Sequence, residues 1–393
     1  MIAMHFFPKK GVWVEEEEGM ERLRKNFFGE FREGKVWLKI EEALYLIAFQ
    51  NGVCFKENGE RIGFSDLASH FPEPELFIRY NAYRDWRDRG LVIERFRDFK
   101  GKKSQKSMKK YPSKKMEIKK LEVTAFWYPD DLHAVIEDEA VGKELFENYW
   151  IGQFGVYKQE RGGLLVLDFF ETIFLAKHFG LKVVDMTSCK ELSHKEILKH
   201  AVSKREYAKQ IFEVYEDWRL RGYIVKTGFK FGSHFRIYFP GASPMKEGEY
   251  VHSRHVLHVF PKDQKLLISE WARAVRVAHG VKKTFLLGIP ELKEKDYIEY
   301  PVDYLAYRRK KEGGNLVRET PDDKPRYLLA AVAEDEHIGG VELASLLKKA
   351  ADMGLELILS ITDRETAITY YVLKKVELPD SKYEYYEIEW MKP

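Results

Sequence analysis

Three histidines crowd the stretch YVHSRHVLHV, residues 250–259, at positions 252, 255 and 258, in a chain of 393 residues that has 12 histidines in all. Imidazole is the commonest metal ligand, and three imidazoles are enough to hold a zinc ion. The spacing argues against that use. Val256, Leu257, Val259 and Phe260 are β-branched or bulky, and the run stops at Pro261-Lys262-Asp263, so the segment reads as a strand. On a strand His252 and His258 share a face roughly 20 Å apart at about 3.3 Å per residue, and His255 points to the other face. One ion cannot collect all three, so at least one histidine has a different task.

The neighbouring residues suggest which. Upstream, GFKFGSHFRIYFPGA reads as a strand carrying Tyr238; downstream a helix runs from Ser269, a good N-cap, to Gly280, followed by the strand VKKTFLLGI with Lys283. A tyrosine, a histidine and a lysine could therefore meet at the ends of adjacent strands. Histidine titrates near neutrality and suits general acid work, a phenol can exchange a proton, and an ammonium can stabilise developing negative charge. Such a set works without a metal and suits cleavage of RNA by its own 2′-hydroxyl. Spacing alone leaves the plainer reading open, in which the three are hydrogen-bonded structural residues.

The chain must position these groups with more than one core, because 393 residues exceed what a single core normally organises and point to two to four domains. Hydrophobic residues at 45% mark a folded protein, and a net charge of +3 names no partner. Cys54 and Cys189 are far apart with no CxxC, which excludes a disulfide scaffold and predicts a reducing, cytoplasmic compartment. No apolar run approaches the roughly 18 residues of a membrane span, so a soluble protein is expected.

YRDWRDRGLVI at 83–93 and YEDWRLRGYIV at 215–225 declare a repeat, each preceded by an apolar helical stretch, EEALYLIAF and FETIFLAKHFG. Both copies read as a helix ending at a C′ glycine, Gly90 or Gly222, and entering a strand, with Trp86 and Trp218 in the core. A weaker repeat relates the segment from His255 to that from Tyr327, placing Val259 on Val332 and, after a one-residue gap, Gly280 on Gly354. On that alignment Lys283 falls on Leu357 and His252 on Pro325, with no counterpart of Tyr238. The expected organisation is an N-terminal module at 1–99, a lysine-rich exposed linker at 100–118, a second N-module at 119–235, a C-module bearing the chemistry at 236–312, a linker at 313–325 and a last C-module at 326–393.

VYEDWRLRGYIVKTGFKFGSHFRIYFPG, VHSRHVLHV and ARAVRVAHGVKKTFLLGI resemble successive motifs of the archaeal tRNA-splicing endonucleases, over about residues 207–290. The arrangement resembles the three-unit, homodimeric class of that family, called epsilon-two. The resemblance implies an α+β fold of tandem modules: small α/β N-terminal modules and mixed-sheet, restriction-endonuclease-like C-terminal modules, one catalytic and one pseudo-catalytic. It implies metal-independent, cofactor-free cleavage of precursor tRNA at bulge-helix-bulge motifs, leaving 2′,3′-cyclic phosphate and 5′-hydroxyl ends. Tyr238 is then the general base, His252 the general acid and Lys283 the stabiliser of phosphorane charge, with Lys282 the alternative for the last. His255 and His258 are left as strand residues with local hydrogen bonds. Two departures stand out: His234 where the family often has an acid, and the longer loop PGASPMKEGEY between Tyr238 and His252.

The family grips a flipped bulge base between two arginines. Arg276 matches the first, and Arg308, with Arg309 beside it, is the choice for the second. An intron has two ends and the chain has one complete trio, so a homodimer is expected, with Glu334, Asp335 and Glu336 as an acidic loop at the dimer interface. A non-catalytic RNA-binding scaffold is the main competing reading. A metal-dependent nuclease is a further one, and no carboxylate pair around Lys283 supports it.

Overall fold

The structure, a computed structural model, describes residues 1–97, 109–156, 162–245 and 252–393. It is a mixed α and β fold. Among the described residues no helix is long and apolar enough to cross a membrane.

The WRxRG repeat marks the start of each half. Helices Leu76–Asp88 and Ala208–Leu220 each end two residues before a glycine of positive φ, +73° at Gly90 and +84° at Gly222. At Gly222 the glycine is doubly required, since a Cβ there would lie 2.3 Å from the Lys114 carbonyl oxygen. Trp86 and Trp218, two residues before the helix ends, are fully buried. In front of each helix stands a small sheet, of six strands at residues 2–62 and five at 124–185. A shared device locks each sheet to its helix. Glu42 accepts the backbone N–H of Gly29 at 2.9 Å and of Lys39 at 2.8 Å, and Glu171 accepts those of Gly152 at 2.9 Å and Asp168 at 3.1 Å.

Both halves then feed one large sheet. Its strands lie side by side in the order 224–227, 235–238, 255–259, 284–289, 384–391, 368–377, 356–362, 327–333, 304–306 and 93–95. The first five strands and the last five repeat one another in register. Parallel strand pairs begin at His255 beside Thr284 and at Tyr327 beside Glu356, and the helices between them begin at Ile268 and Gly340, a constant displacement of 72 residues. The halves meet at two antiparallel joints. Leu373 faces Ile388 in the central hairpin, and Leu266 faces Ile338 where short strands Lys265–Leu267 and His337–Gly339 pair.

This register corrects the alignment read from sequence. There is no gap: Lys282, in left-handed backbone at φ +57°, stands where the other half has Gly354 at φ +66°. Lys283 therefore falls on Leu355 and His252 on Lys324. The sequence match keyed on Gly280, but that glycine is still helical and a lysine takes the left-handed position. Tyr238 also has a counterpart. Ile237 pairs with His255 as Ala306 pairs with Tyr327, so the following residues, Tyr238 and Tyr307, correspond.

Several expected boundaries differ. Strand Ile224–Thr227 pairs with Phe235–Tyr238 inside the large sheet, ahead of the boundary expected at 235. Strand Tyr304–Ala306 belongs at the far flank, beside Ile93–Arg95. The stretch 313–325 is no open linker: Arg309–Glu312 and Asn315–Arg318 form a hairpin about Gly313-Gly314, both at positive φ as a tight hairpin turn needs.

Residues 100–108 of the lysine-rich segment lie outside the described residues, but 109–118 is not a solvated linker throughout. Lys109–Lys110 pairs with the strand 368–377, and the backbone N–H groups of Lys114 and Met116 donate to Arg221 and Leu220. Tyr111 is 3% exposed, donates to Glu387 at 2.5 Å, and meets Trp218 edge-on at 5.8 Å. One buried aromatic anchors a segment whose composition reads as solvent-facing. Replacing Tyr111 by alanine removes that anchor and leaves the buried Glu387 carboxylate with Lys109 alone, so urea unfolding is expected to show a loss of about 3–5 kcal/mol; a loss under about 1 kcal/mol would mean that the segment is not part of the core.

Candidate active site

Three adjacent strands bring the chemistry together. Ile237, His255 and Thr284 form one row across strands 235–238, 255–259 and 284–289. The next row outward holds Tyr238, Arg254 and Lys283, joined by the Arg254 N–H on the Ile237 carbonyl at 3.0 Å and the Thr284 N–H on the Arg254 carbonyl at 3.2 Å. With strands about 4.8 Å apart, the Tyr238 and Lys283 backbones are roughly 10 Å from each other across Arg254. Alternation puts Tyr238 and Lys283 on the same face as Val256 and Phe285, which pack under helix Ile268–Gly280. His252 lies two residues before Arg254 and is exposed.

Lys283 is tied to that neighbourhood: its ammonium donates to the Ser253 carbonyl at 2.6 Å, next to His252, and lies 5.6 Å from the centre of the Phe231 ring. Burial, followed by the nearby Arg236 guanidinium, lowers its pKa below the ordinary lysine value. Lys282 is exposed in a left-handed turn, and it is Lys283 whose ammonium lies in this neighbourhood. Tyr238 is 4% exposed, its ring 4.8 Å from that of Trp150, which itself ends a helix in left-handed backbone. Arg236 and Arg254 are cations that the sequence reading passed over. The signal was available, since each lies two residues from a member of the trio on a strand-like stretch.

The remaining predicted residues lie apart. Arg276 is exposed on helix Ile268–Gly280 and donates to the Tyr371 hydroxyl at 3.3 Å. Arg308 follows the strand 304–306, three strands beyond Tyr371; its backbone N–H donates to Glu319 at 3.0 Å. Arg309 donates from its side chain to the Arg89 carbonyl at 2.5 Å. The chain does not bring Arg276 and Arg308 together.

The acidic loop sits within its own chain, after strand 327–333 and against the start of helix Ile268–Gly280. The Glu334 and Glu336 carbonyls accept the N–H groups of Ser269 at 3.0 Å and Ile268 at 2.9 Å. Ser269 thus lies in the first turn, with its N–H satisfied by that loop; Leu267 is the N-cap, without a side-chain hydrogen bond. The Glu336 carboxylate accepts the Ala333 N–H at 2.7 Å, Glu334 that of Arg364 at 3.1 Å, and Asp335 is paired with the Arg364 side chain.

With this geometry in hand, comparison with known proteins gives its context. Residues 208–300 match the family described as tRNA intron endonuclease, catalytic C-terminal domain. The tRNA-splicing endonuclease of Pyrococcus abyssi is 34% identical over 151 residues, which is 38% of this chain and 82% of that protein. The chain belongs to the archaeal tRNA-splicing endonuclease family. The Methanopyrus kandleri tRNA-splicing endonuclease is 36% identical over 141 residues, covering 36% of this chain and 75% of its own length. A longer relative, that of Methanococcoides burtonii, is 26% identical over 349 residues, covering 74% of this chain and 97% of its own. The matched family segment starts at Ala208, the first residue of the WRxRG helix, and so includes strand 224–227 beside the trio.

Within this member of the family the other histidines have structural surroundings. His234, in the position where an acid was expected, accepts the Val259 N–H on Nδ1 at 3.0 Å, and its ring lies 4.4 Å from that of His258. Burial pushes His234 down to about 3 and His258 to about 4. His255 departs from the expectation of local hydrogen bonds. Its two ring nitrogens are buried without a partner among the described residues, between Tyr111 at 5.1 Å and Phe239 at 5.6 Å. An imidazole can pack in an aromatic slot if it stays neutral, and burial lowers its pKa to about 4.

In the other half, the places of His252 and Lys283 are taken by Lys324 and Leu355, and Lys324 donates to the Gly354 carbonyl at 3.2 Å. Tyr307 is 1% exposed, its hydroxyl donating to Glu94 at 2.9 Å.

His255 yields a test with a defined sign. Its folded pKa of about 4 lies below the unfolded value near 6.5, so below about pH 6.5 the unfolded chain takes up a proton that the folded chain refuses. The stability it leaves intact at neutral pH is lost as pH falls. Glu42 and Asp168, whose burial raises them to about 6, act in the opposite sense, so the difference between two proteins is the clean reading. Relative to wild type, His255→Leu is expected to gain stability progressively from pH 6.5 to 4.5, by up to about 1.4 kcal/mol per pH unit in urea titrations. A difference independent of pH would show that this histidine charges freely in the fold.

Proposed function

We propose that the chain is an endoribonuclease that removes introns from precursor tRNA, cutting at bulge-helix-bulge motifs through attack of the 2′-hydroxyl on the adjacent phosphorus. The observation that carries the reading is the row of Tyr238, Arg254 and Lys283 beside the exposed His252, inside the segment that matches the family's catalytic domain. Tyr238 takes the 2′-hydroxyl proton, and the new P–O2′ bond forms as the P–O5′ bond breaks. His252 hands a proton to the leaving 5′-oxygen, giving a 2′,3′-cyclic phosphate and a 5′-hydroxyl. Lys283, held by the Ser253 carbonyl, faces the negative charge that builds on the phosphorane. Tyr238 is packed beside the Trp150 ring, which holds the phenol at this end of its strand.

The second half of the sheet is a pseudo-catalytic C-module; with the N-terminal module of 1–99 and the complete catalytic unit of 119–312 it gives the three-unit arrangement. Its tyrosine is spent on Glu94, and Lys324 and Leu355 stand where the catalytic half has His252 and Lys283. One chain therefore supplies one cut. Two splice sites call for a homodimer, and a base gripped between Arg276 and Arg308 takes one arginine from each copy. The acidic loop of Glu334, Asp335 and Glu336 joins the two halves of a single chain through its backbone carbonyls, and Asp335 is the outward charge it offers to the homodimer interface.

Single-turnover cleavage of a bulge-helix-bulge RNA tests the roles. His252→Ala and Tyr238→Phe are each expected to lower the rate about 10²- to 10⁴-fold, and Lys283→Ala by a comparable factor. Tyr307→Phe, the matching change in the other half, is expected to stay within a factor of three of wild type. Equal losses from Tyr238→Phe and Tyr307→Phe would overturn the division into one active and one inactive half.

A further inference from the structure

The N-terminal unit contains a cavity of about 210 Å³ between helix Glu17–Lys25, helix Leu76–Asp88 and the hairpin arm Asn315–Arg318. It is many times the roughly 30 Å³ of one water. Three guanidinium side chains line it, those of Arg22, Arg87 and Arg318, together with the polar groups of Asn26, Gln50 and Tyr45. No carboxylate is among the lining residues. Among the described residues neither Arg22 nor Arg318 is in an ion pair, and Arg318 has instead the Phe27 ring 5.4 Å away.

The charges here are unbalanced in a specific way. Burial, and after it the positive charge of Arg87, pulls the Arg318 pKa below the usual guanidinium value, with no acid acting against them. Arg87 is 8% exposed, lies 3.8 Å over the Phe28 ring, and donates once, to the Asn26 carbonyl at 2.8 Å; its Nη1 is buried without a hydrogen bond. The nearest acids are already engaged: Glu42 by the Gly29 and Lys39 N–H groups, and Asp88 by the Tyr45 hydroxyl at 2.9 Å.

The internal repeat supplies a control. Arg219 occupies the place of Arg87 in the second unit, and there the guanidinium is fully buried and donates to two carbonyls, Tyr149 at 2.7 Å and Tyr223 at 3.3 Å. In both units one guanidinium nitrogen is buried without an acceptor, Nη1 of Arg87 and Nε of Arg219; the first unit differs in opening a cavity beside that arginine and in bringing two further arginines to it. Three guanidinium groups held close against one carboxylate, Glu42, that two backbone N–H groups already engage are unfavourable, and a tetrahedral oxyanion is the ligand that planar guanidinium groups match best.

We propose that this cavity binds a phosphate-type oxyanion, bridging Arg22, Arg87 and Arg318 and thereby pinning the hairpin 309–318 to the N-terminal helices. The anion is either free phosphate or a backbone phosphate of bound RNA. This site lies in the N-terminal unit, distinct from the Tyr238, His252 and Lys283 site.

Calorimetric titration of the whole protein with inorganic phosphate tests the proposal, using wild type, Arg22→Ala and Arg318→Ala; both substitutions remove exposed or half-buried side chains, and circular dichroism checks that the fold persists. Wild type is expected to bind phosphate saturably, and each variant at least tenfold more weakly. Binding of a precursor tRNA at fixed salt then separates the sources. A matching loss of RNA affinity in Arg318→Ala, together with competition by phosphate, identifies a backbone phosphate, whereas RNA affinity unchanged beside lost phosphate binding identifies free phosphate. No saturable phosphate binding by wild type, or binding that neither substitution weakens, overturns the proposal.

Discussion

The structure turns on the antiparallel hairpin that sets Leu373 opposite Ile388 at the centre of the large sheet. Strand 368–377 continues the half that holds Tyr307, and strand 384–391 continues the half that holds Tyr238. Because strand pairing is periodic in two residues, a slip of one at this joint would turn the apolar face of one half toward solvent. The joint therefore fixes the two halves relative to each other, and with them the helices over the trio. Leu266 opposite Ile338 repeats the restraint at the other joint, where the acidic loop satisfies the first N–H groups of helix Ile268–Gly280.

Duplication explains how such a scaffold can hold one active site. Both halves present a tyrosine at the end of the same strand, yet in one it lies in a row with Arg254 and Lys283 beside an exposed histidine, and in the other it is bonded to Glu94. What differs is a handful of side chains at a sheet end; what is shared is the register that carries them. The same logic runs through the N-terminal units, where Glu42 and Glu171 make the same pair of backbone bonds while Arg87 and Arg219 do not.

Much of this was legible in the sequence where local chemistry decides it. The WRxRG helices end where glycine must take left-handed backbone, and their tryptophans are buried. Strand His255–Val259 and helix Ile268–Gly280 fell close to where alternation and periodicity put them, but His252 stands ahead of the strand and Leu267, not Ser269, is the N-cap. Register was not legible. The Tyr238 counterpart was missed because 13 residues separate Tyr238 from His252 whereas 16 separate Tyr307 from Lys324, so no ungapped match reveals it. The docked part of the lysine-rich segment was missed for another reason: its anchor is a single tyrosine, and composition averages one residue away. Arg308 and the acidic loop were assigned through family resemblance, and only the strand order tells how far they lie from the trio.

The central claim is that Tyr238, His252 and Lys283 cleave RNA by directed proton transfer at the 2′- and 5′-oxygens. Its most direct test is to incubate a bulge-helix-bulge RNA with the wild-type chain in excess EDTA and to identify both product ends by mass spectrometry. The account predicts full activity in chelator, with 2′,3′-cyclic phosphate and 5′-hydroxyl ends. Cleavage that stops in EDTA and leaves 3′-hydroxyl and 5′-phosphate ends would contradict it, and would move the chemistry from these three side chains to a metal-bound water.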